Sequence, residues 1–582
     1  MSHSRLRRLL EHERVLVCVA SMAFGAIFSY PLLRDRNLSK LSIFGDWDFS
    51  LQLAWVPYKT LVEFHQLPLW NPYKCGGMPM LGNPQSHFVT PWFLLSLLLG
   101  PVVGLHLEVP IHMAIAWSGT YVLARVQKMT PLAAAGAAVA YAGSSWFNLH
   151  ACEGHVIFLA LAYTPWCIAL VWMGSGPARL EYAVASGTVL ALSFLEGSPY
   201  IPVYVALMMA LVMLPLAAMR RSLRPLLALA SAGFFAIGIG AVKLMPAYFV
   251  LQAHPRATDA AESNSWYAIF EALFSFDQSR LRASPNLWGF HELGAFVGLF
   301  AIPALIGLLS PRRAIPWIVA ACAILLIVRG QQSPTSPYVY LHQIPIFSDM
   351  RLPSRMLICF VMAIAMMAGI GLDFLCRIRW GYGIAVAATL VAAATVTNFI
   401  VVTPNLNHIA DAIIAPDAPL PAFRQFLLNG WGVSTFQATL ENKGVIHCYE
   451  YMQPAPWTSA AVGYDVRGYR GEQYMDGPGS VRVVRWTPNA LSYAVDAPAP
   501  TVLVINQNYD PSWRLRSGNG EAVSHGGLLA VKLPSGRQEI TLRYVSLPVI
   551  IGAVITAMTI FAAIVLVRRI RSGRAESREF TT

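Results

Sequence analysis

Uncharged apolar runs recur along the chain, each close to the roughly 20 residues that cross the hydrocarbon core of a bilayer as helix. They predict helices near 15–33, 104–124, 131–147, 156–173, 180–197, 200–218, 225–250, 292–310, 314–329, 356–375, 382–402 and 547–567. Two stretches break this rhythm. The first, Gly45 to Pro91, is rich in Pro, Gly and Asn and too polar to enter the membrane. Directly after it, 88–103 reads as a short or re-entrant helix. The second runs from 403 to 545. It opens with a helix expected over Pro421–Leu428 and then turns to short, partly alternating runs at 501–507, 513–516, 527–533 and 538–544. Asp510-Pro511, Ser517-Gly518-Asn519-Gly520 and Pro534-Ser535-Gly536 separate these runs, the pattern of a small antiparallel β-sandwich. The expectation is a mainly α polytopic membrane protein of about 12 transmembrane helices, with a smaller extracytoplasmic β-rich domain before the last helix. Its divisions are a helical domain at 1–402, whose large first external loop is 34–90, a β-rich domain at 403–545, and a last helix with a basic tail at 546–582.

Composition agrees with a membrane protein. Of 582 residues, 56% are hydrophobic and 12% charged, against about 25% charged in soluble domains. The net charge of +12 sits in short basic clusters between apolar runs, which fits membrane topology and not nucleic-acid binding. Arg5, Arg7, Arg8 and Arg14 precede the first run, and Arg568, Arg569, Arg571 and Arg574 follow the last. Arg125 and Lys128, Arg179, Arg220 and Arg221, Arg312 and Arg313, and Arg377 mark every second loop between them. The positive-inside rule then puts both termini in the cytoplasm and every large polar segment outside. Nothing around Phe28–Pro31 suits signal cleavage, so the first helix is expected to be uncleaved. The eight cysteines lack paired spacing. Cys75 and Cys448 are the pair able to meet outside the membrane.

The candidate chemistry collects on that outer side. Asp46 and Asp48 follow the first helix, where a carboxylate suits a general base or a helix cap. Glu153 and His155 flank Gly154 in what reads as a short loop, fit to bind an acceptor, to hold a metal or simply to meet water. Were the ion Mg²⁺ or Mn²⁺, Asp46 and Glu153 would suit it as shared oxygen ligands. Glu196 lies near the outer end of its helix, and Lys243 lies inside an apolar run, facing a polar cavity or reaching to headgroups. Arg351 and Arg355 precede a span on the side where Arg is disfavoured, so they want a local anion such as phosphate or a lipid headgroup. His291 and Glu292 open another span with little specificity.

Three groups of residues resemble the bacterial YfhO-like membrane proteins, within the GT-C class of polytopic glycosyltransferases. In the first loop these are Gly45-Asp46, Gln52, Leu67-Pro68-Leu69-Trp70-Asn71-Pro72, Gly76-Gly77-Met78-Pro79 and Asn83-Pro84-Gln85-Ser86. The second is Ile344 to Arg355, and the third is Asn508 to Trp513 with Leu533-Pro534-Ser535-Gly536 and Leu542-Arg543-Tyr544. Ser512 stands where the pattern has Gly. The resemblance implies a glycosyltransferase of a bacterial cytoplasmic membrane that takes sugar from a polyprenyl-phosphate donor and passes it to an envelope glycan, lipid or protein. It implies Asp46 as the catalytic acid of the first loop. On this reading Arg351, Arg355 and Lys243 hold the donor phosphate. Asp48, Glu153, His155 and Glu196 serve acceptor or metal, and Trp47, Trp55, Trp70 and Tyr73 are placed to stack on sugars.

Overall fold

The computed structural model describes residues 3–34, 46–177, 179–254, 262–283, 288–345, 347–378, 382–410, 417–428, 434–446 and 459–579. Gly45 and Cys448 therefore lie outside the described residues, while Cys75 is disulfide-bonded. All twelve apolar runs contain helix. Among the described residues, seven helices are long and apolar enough to cross a membrane, from Val156–Gly174 to Leu547–Ser572. The remaining runs give helices that are shorter, broken or less apolar. Thus 131–147 divides into Pro131–Ala142 and Ser145–Glu153, and 292–310 keeps only two short 3-10 turns and Ala301–Gly307. Proline starts many of these helices, as Pro101, Pro131, Pro225 and Pro311 do in the first turn, where a missing N–H costs nothing. The short helix expected after the first loop is Phe93–Leu99, ended by Gly100-Pro101.

The C-terminal strands form a sandwich. Strands β1 (Trp70–Asn71) and β2 (Met78–Pro79) pair within the first loop, and β3 (Arg424–Phe426) pairs in parallel with β4 (Lys443–Val445). There follow β5 (Gln473–Met475), β6 (Ser480–Thr487), β7 (Ala490–Ala497), β8 (Thr501–Asn508), β9 (Trp513–Ser517), β10 (Glu521–His525), β11 (Leu528–Leu533) and β12 (Gly536–Tyr544). One sheet has the order β10-β11-β8-β5 and the other β6-β7-β12-β9. Alternate residues fill the space between them: Leu491, Tyr493 and Val495 from β7, Ile540, Leu542 and Tyr544 from β12, Leu529, Val531 and Leu533 from β11. That is the two-residue period of a half-buried strand.

The helix expected over Pro421–Leu428 is absent. Its centre is β3, because the backbone of 424–426 finds a partner in 443–445 that local propensity does not reveal. The helix of this region is instead Thr435–Leu440.

The first loop ties the two halves together. The Trp70 ring fills the sandwich core beside Trp513 and Tyr544, with ring centroids 5.7 Å and 5.0 Å away. Its indole N–H donates to Gln507 Oε1 at 2.9 Å. Gly77 lies against this ring with φ +101°, and a Cβ there would come within 2.6 Å of it. Glycine alone fits both demands. Trp47, Trp70 and Tyr73 are thus buried at 0–1% exposure. They are packing residues, which corrects the expectation that they stack on sugar.

Candidate functional site

The Ser145–Glu153 helix replaces the expected short loop and ends on Gly154, at φ +80°. A Cβ on Gly154 would stand 2.2 Å from the Trp47 backbone nitrogen, so only glycine lets the two segments touch. Three hydrogen bonds join them. The Asp46 N–H donates to Glu153 O at 2.6 Å, the Trp47 indole N–H to Ala151 O at 2.9 Å, and the Ser50 hydroxyl to Gly154 O at 2.8 Å. Asp46 is the N-cap of the Trp47–Val62 helix by position, yet its side chain makes no capping bond. It turns instead to His155, whose Nε2 is 3.2 Å from Asp46 Oδ2. The Asp46 side chain stays 38% exposed, while that of His155 is 10% exposed.

Behind this pair the site becomes buried. His155 Nδ1 lies 2.8 Å from His150 Nδ1. Glu292 accepts a two-pronged pair from Arg355, 2.7 Å from Nε and 2.5 Å from Nη2. The Arg355 guanidinium also lies over the Phe158 and Tyr200 rings, 4.8 Å and 5.5 Å from their centroids. Glu153 faces Arg280 at 3.5 Å and His291 at 3.8 Å. Opposed forces set the charges here. Burial is the largest single influence on the Asp46 carboxylate and works against it, but the His155 hydrogen bond together with the His155 and Arg355 charges holds the carboxyl below its usual range. Burial likewise opposes the His155 cation, but Asp46 raises it above the ordinary imidazole value. Glu292 is buried and still pulled far down by the Arg355 charge.

Thus Asp46, Glu153, His155 and Arg355 do assemble, with His150, His291 and Glu292 added. Other expected site residues go elsewhere. Lys243 donates to Asn83 O, Ser86 O and Ser86 Oγ at 2.5–2.8 Å. An ammonium has three protons, and the first loop takes them all, which corrects the phosphate role. Glu196 accepts from Tyr163 and faces His112 Nε2 at 3.2 Å, in a separate buried network. Arg351 lies over the Trp288 ring at 5.1 Å.

Asp48 is corrected too, because its carboxylate is saturated. It accepts from the Ser434 hydroxyl, from Thr435 N at 2.9 Å, from Thr435 Oγ1 at 2.6 Å and from Phe436 N at 3.1 Å. It therefore caps the Thr435–Leu440 helix across a long sequence separation. Asp48→Ala is expected to lower stability by about 1–2 kcal/mol, the size of a lost cap, with turnover per folded molecule unchanged. Denaturant unfolding beside an activity assay checks this, and a large fall in turnover would return Asp48 to the chemistry.

With this geometry in place, the chain can be compared with known proteins. No family model matches it, and no curated protein does. Among solved structures it is similar to the arabinofuranosyltransferase AftD from Mycobacteria. The identity is 14% and the TM-score 0.43, over 74% of this chain and 31% of that one. The chain thus spans less than a third of that protein's length.

Sequence reading gave no weight to His150 and little to Glu292. His150 falls in what reads as a short external loop, and its one signal is a second imidazole five residues before His155. Glu292 is the anion that Arg355 required.

A second feature lies between the first loop and the sandwich. A cavity of about 770 Å³ is lined by Phe64, Phe423, Arg424, Tyr469, Glu472 and Trp486, among others. Phe423 stacks on Trp486 with centroids 4.7 Å apart. Burial pushes the Glu472 carboxyl up to about 7 from 4.5, against hydrogen bonds from Gln425 N and Tyr469. A carboxyl raised in the folded state binds more protons there than when unfolded. Its stabilisation is therefore complete below about 4.5 and is lost as pH rises through about 7. The melting temperature of the wild type relative to Glu472→Gln is expected to fall between pH 5 and 8. Parallel pH profiles would contradict the assignment.

Proposed function

We propose that the protein is a membrane glycosyltransferase of the GT-C kind, moving a sugar from a polyprenyl-phosphate donor to an extracytoplasmic envelope acceptor. The observation that carries this reading is the Asp46–His155 pair: a partly exposed carboxylate, held in one orientation, at the edge of a buried cluster that contains the Arg355–Glu292 ion pair. In the reaction, Asp46 takes the proton of the acceptor hydroxyl as that oxygen attacks the anomeric carbon. The bond from that carbon to the phosphate oxygen breaks, and polyprenyl phosphate leaves with the electron pair. His155 is a positioning residue that fixes the carboxylate.

Arg355 stands near the leaving phosphate. A guanidinium carries five N–H donors, and Glu292 takes two of them, so others are left for phosphate oxygens. Arg351 adds positive charge from the same segment. The aromatic-lined cavity suits a sugar chain, so the β-rich domain would orient the acceptor. The reading sets the protein in a bacterial cytoplasmic membrane, with both termini inside and the site outside, as the basic loops suggest.

Mass spectrometry of polyprenyl-linked sugars and envelope glycans in wild-type and deletion strains tests the function. The reading expects one lipid-linked sugar to accumulate and one glycan substituent to vanish. Unchanged profiles in cells that normally make the protein would refute it.

A further inference from the structure

Behind Asp46, the ligand atoms of His150, His155 and Glu292 all lie within 4.8 Å of one another, and all three residues are buried. We propose that these residues form a binding site for one divalent transition-metal ion, best matched to Zn²⁺. The inference rests on the site described above but not on the reaction assigned to it.

The first argument is the state of the two rings. His155 directs Nε2 to the Asp46 carboxylate, so Nε2 carries a proton. In the protonated ring Nδ1 donates to His150 Nδ1 and leaves the His150 Nε2–H without a partner among the described residues. In the neutral ring Nδ1 has a lone pair. That lone pair faces His150 Nδ1 at 2.8 Å. Neither neutral tautomer of His150 satisfies the ring. With the proton on Nδ1, the bond to His155 is made, but a lone pair at Nε2 is buried with no partner among the described residues. With the proton on Nε2, that N–H is unpartnered and two lone pairs oppose each other. A cation bound beside the two Nδ1 atoms removes that opposition and turns both lone pairs into ligands. Their 2.8 Å separation then widens to the roughly 3.3 Å that two Zn–N bonds of about 2.0 Å span in a tetrahedral site. Opposed buried lone pairs are uncommon and are what the cation relieves; His150 Nε2 has no partner among the described residues in either state.

The second argument is the surroundings. A metal-bound imidazole usually gives its other N–H to a carboxylate, which fixes the tautomer and raises ligand basicity. Asp46 stands in that relation to His155. Glu292 can serve as the oxygen ligand although Arg355 holds it. A carboxylate offers about four lone-pair sites, and the guanidinium occupies one on each oxygen. Asp46 and Glu292 supply two negative charges against Arg355, so a dication does not enter an uncompensated positive field.

Donor chemistry then selects the ion. Two imidazole nitrogens and one carboxylate are the protein ligands of many catalytic zinc sites, which keep a further position open. Mg²⁺ prefers oxygen and retains its water, so it fits poorly. The two acids expected to share Mg²⁺ or Mn²⁺ have separate partners, Asp46 with His155 and Glu153 with Arg280 and His291.

The test uses the full-length protein in detergent, stripped with chelator, desalted and titrated with ZnCl₂ or MgCl₂, with no sugar substrate. Bound metal is counted by elemental analysis, and thermal unfolding is followed in parallel. One equivalent of Zn²⁺ is expected to remain after desalting and to raise the melting temperature, while Mg²⁺ does neither. His150→Asn is expected to weaken Zn²⁺ binding by at least 100-fold. His525→Ala, which alters an exposed histidine paired with Asp476, is expected to leave it unchanged. Failure of the folded wild type to retain Zn²⁺, or retention undiminished in His150→Asn, would overturn the site. If His150→Asn does not fold, His155→Asn is the second variant, judged by the same criterion. Because no substrate is present, failure here leaves the transferase reading untouched, and loss of the transferase reading leaves the metal count standing.

Discussion

Asp46→Asn is expected to lower turnover by about 10²–10⁴-fold, the usual contribution of a positioned general base, while binding of substrate changes little. The amide keeps the size of the carboxylate, and its oxygen still accepts from His155, 3.2 Å away in the wild type. Only the capacity to take a proton is lost. The fold should survive, because the Asp46 backbone makes the bonds to Glu153 and Ser50 and the side chain is 38% exposed. Loss in kcat with KM unchanged is the signature of an interaction made in the transition state alone. His155→Gln is expected to give a smaller loss, since it disturbs the orientation of the base but not its chemistry. Steady-state kinetics with purified protein separates these outcomes. An equal rise in KM with kcat preserved would make Asp46 a binding residue.

Arg355→Met should be the most destabilising single change at the site. Arg355 and Glu292 have side chains only 14% and 4% exposed. Removing the guanidinium leaves a buried carboxylate without its two charged donors, and breaking such a pair from one side costs about 3–5 kcal/mol. The guanidinium also leaves its place over Phe158 and Tyr200, which adds a packing loss. The paired change Arg355→Met with Glu292→Gln should recover much of this, since replacing both partners of a buried ion pair is often near neutral. Thermal unfolding in detergent measures both. A double variant as unstable as the single one would show that the cost lies in packing and not in the orphaned charge.

Legibility in the sequence followed the range of the interactions. The apolar runs all contain helix, and four of the sandwich strands were visible because turn residues bracket them and their side chains alternate. Strand β3 was hidden because its parallel partner is distant in sequence. At the site, Asp46 and His155 stood out as polar residues beside apolar helices. Their meeting depends on Gly154, whose contact with Trp47 joins positions about a hundred residues apart. Arg351 and Arg355 read as wanting a local anion, and the structure gives one to Arg355, while Arg351 lies over the Trp288 ring. The partner of Arg355 is Glu292, an internal anion that residue type alone does not distinguish from phosphate. Lys243 and Asp48 misled for the same reason: each is charged near the outer ends of helices, and each is spent on holding the first loop and its neighbours in place.

The central claim is that Asp46 performs sugar transfer, and complementation of the deletion strain tests it most directly. Wild-type and Asp46→Asn proteins would be expressed at equal membrane levels, and polyprenyl-linked sugars and envelope glycans measured together by mass spectrometry. The account predicts that the wild type restores the glycan and clears the accumulated lipid-linked sugar, while Asp46→Asn does neither. Full restoration by Asp46→Asn would contradict it.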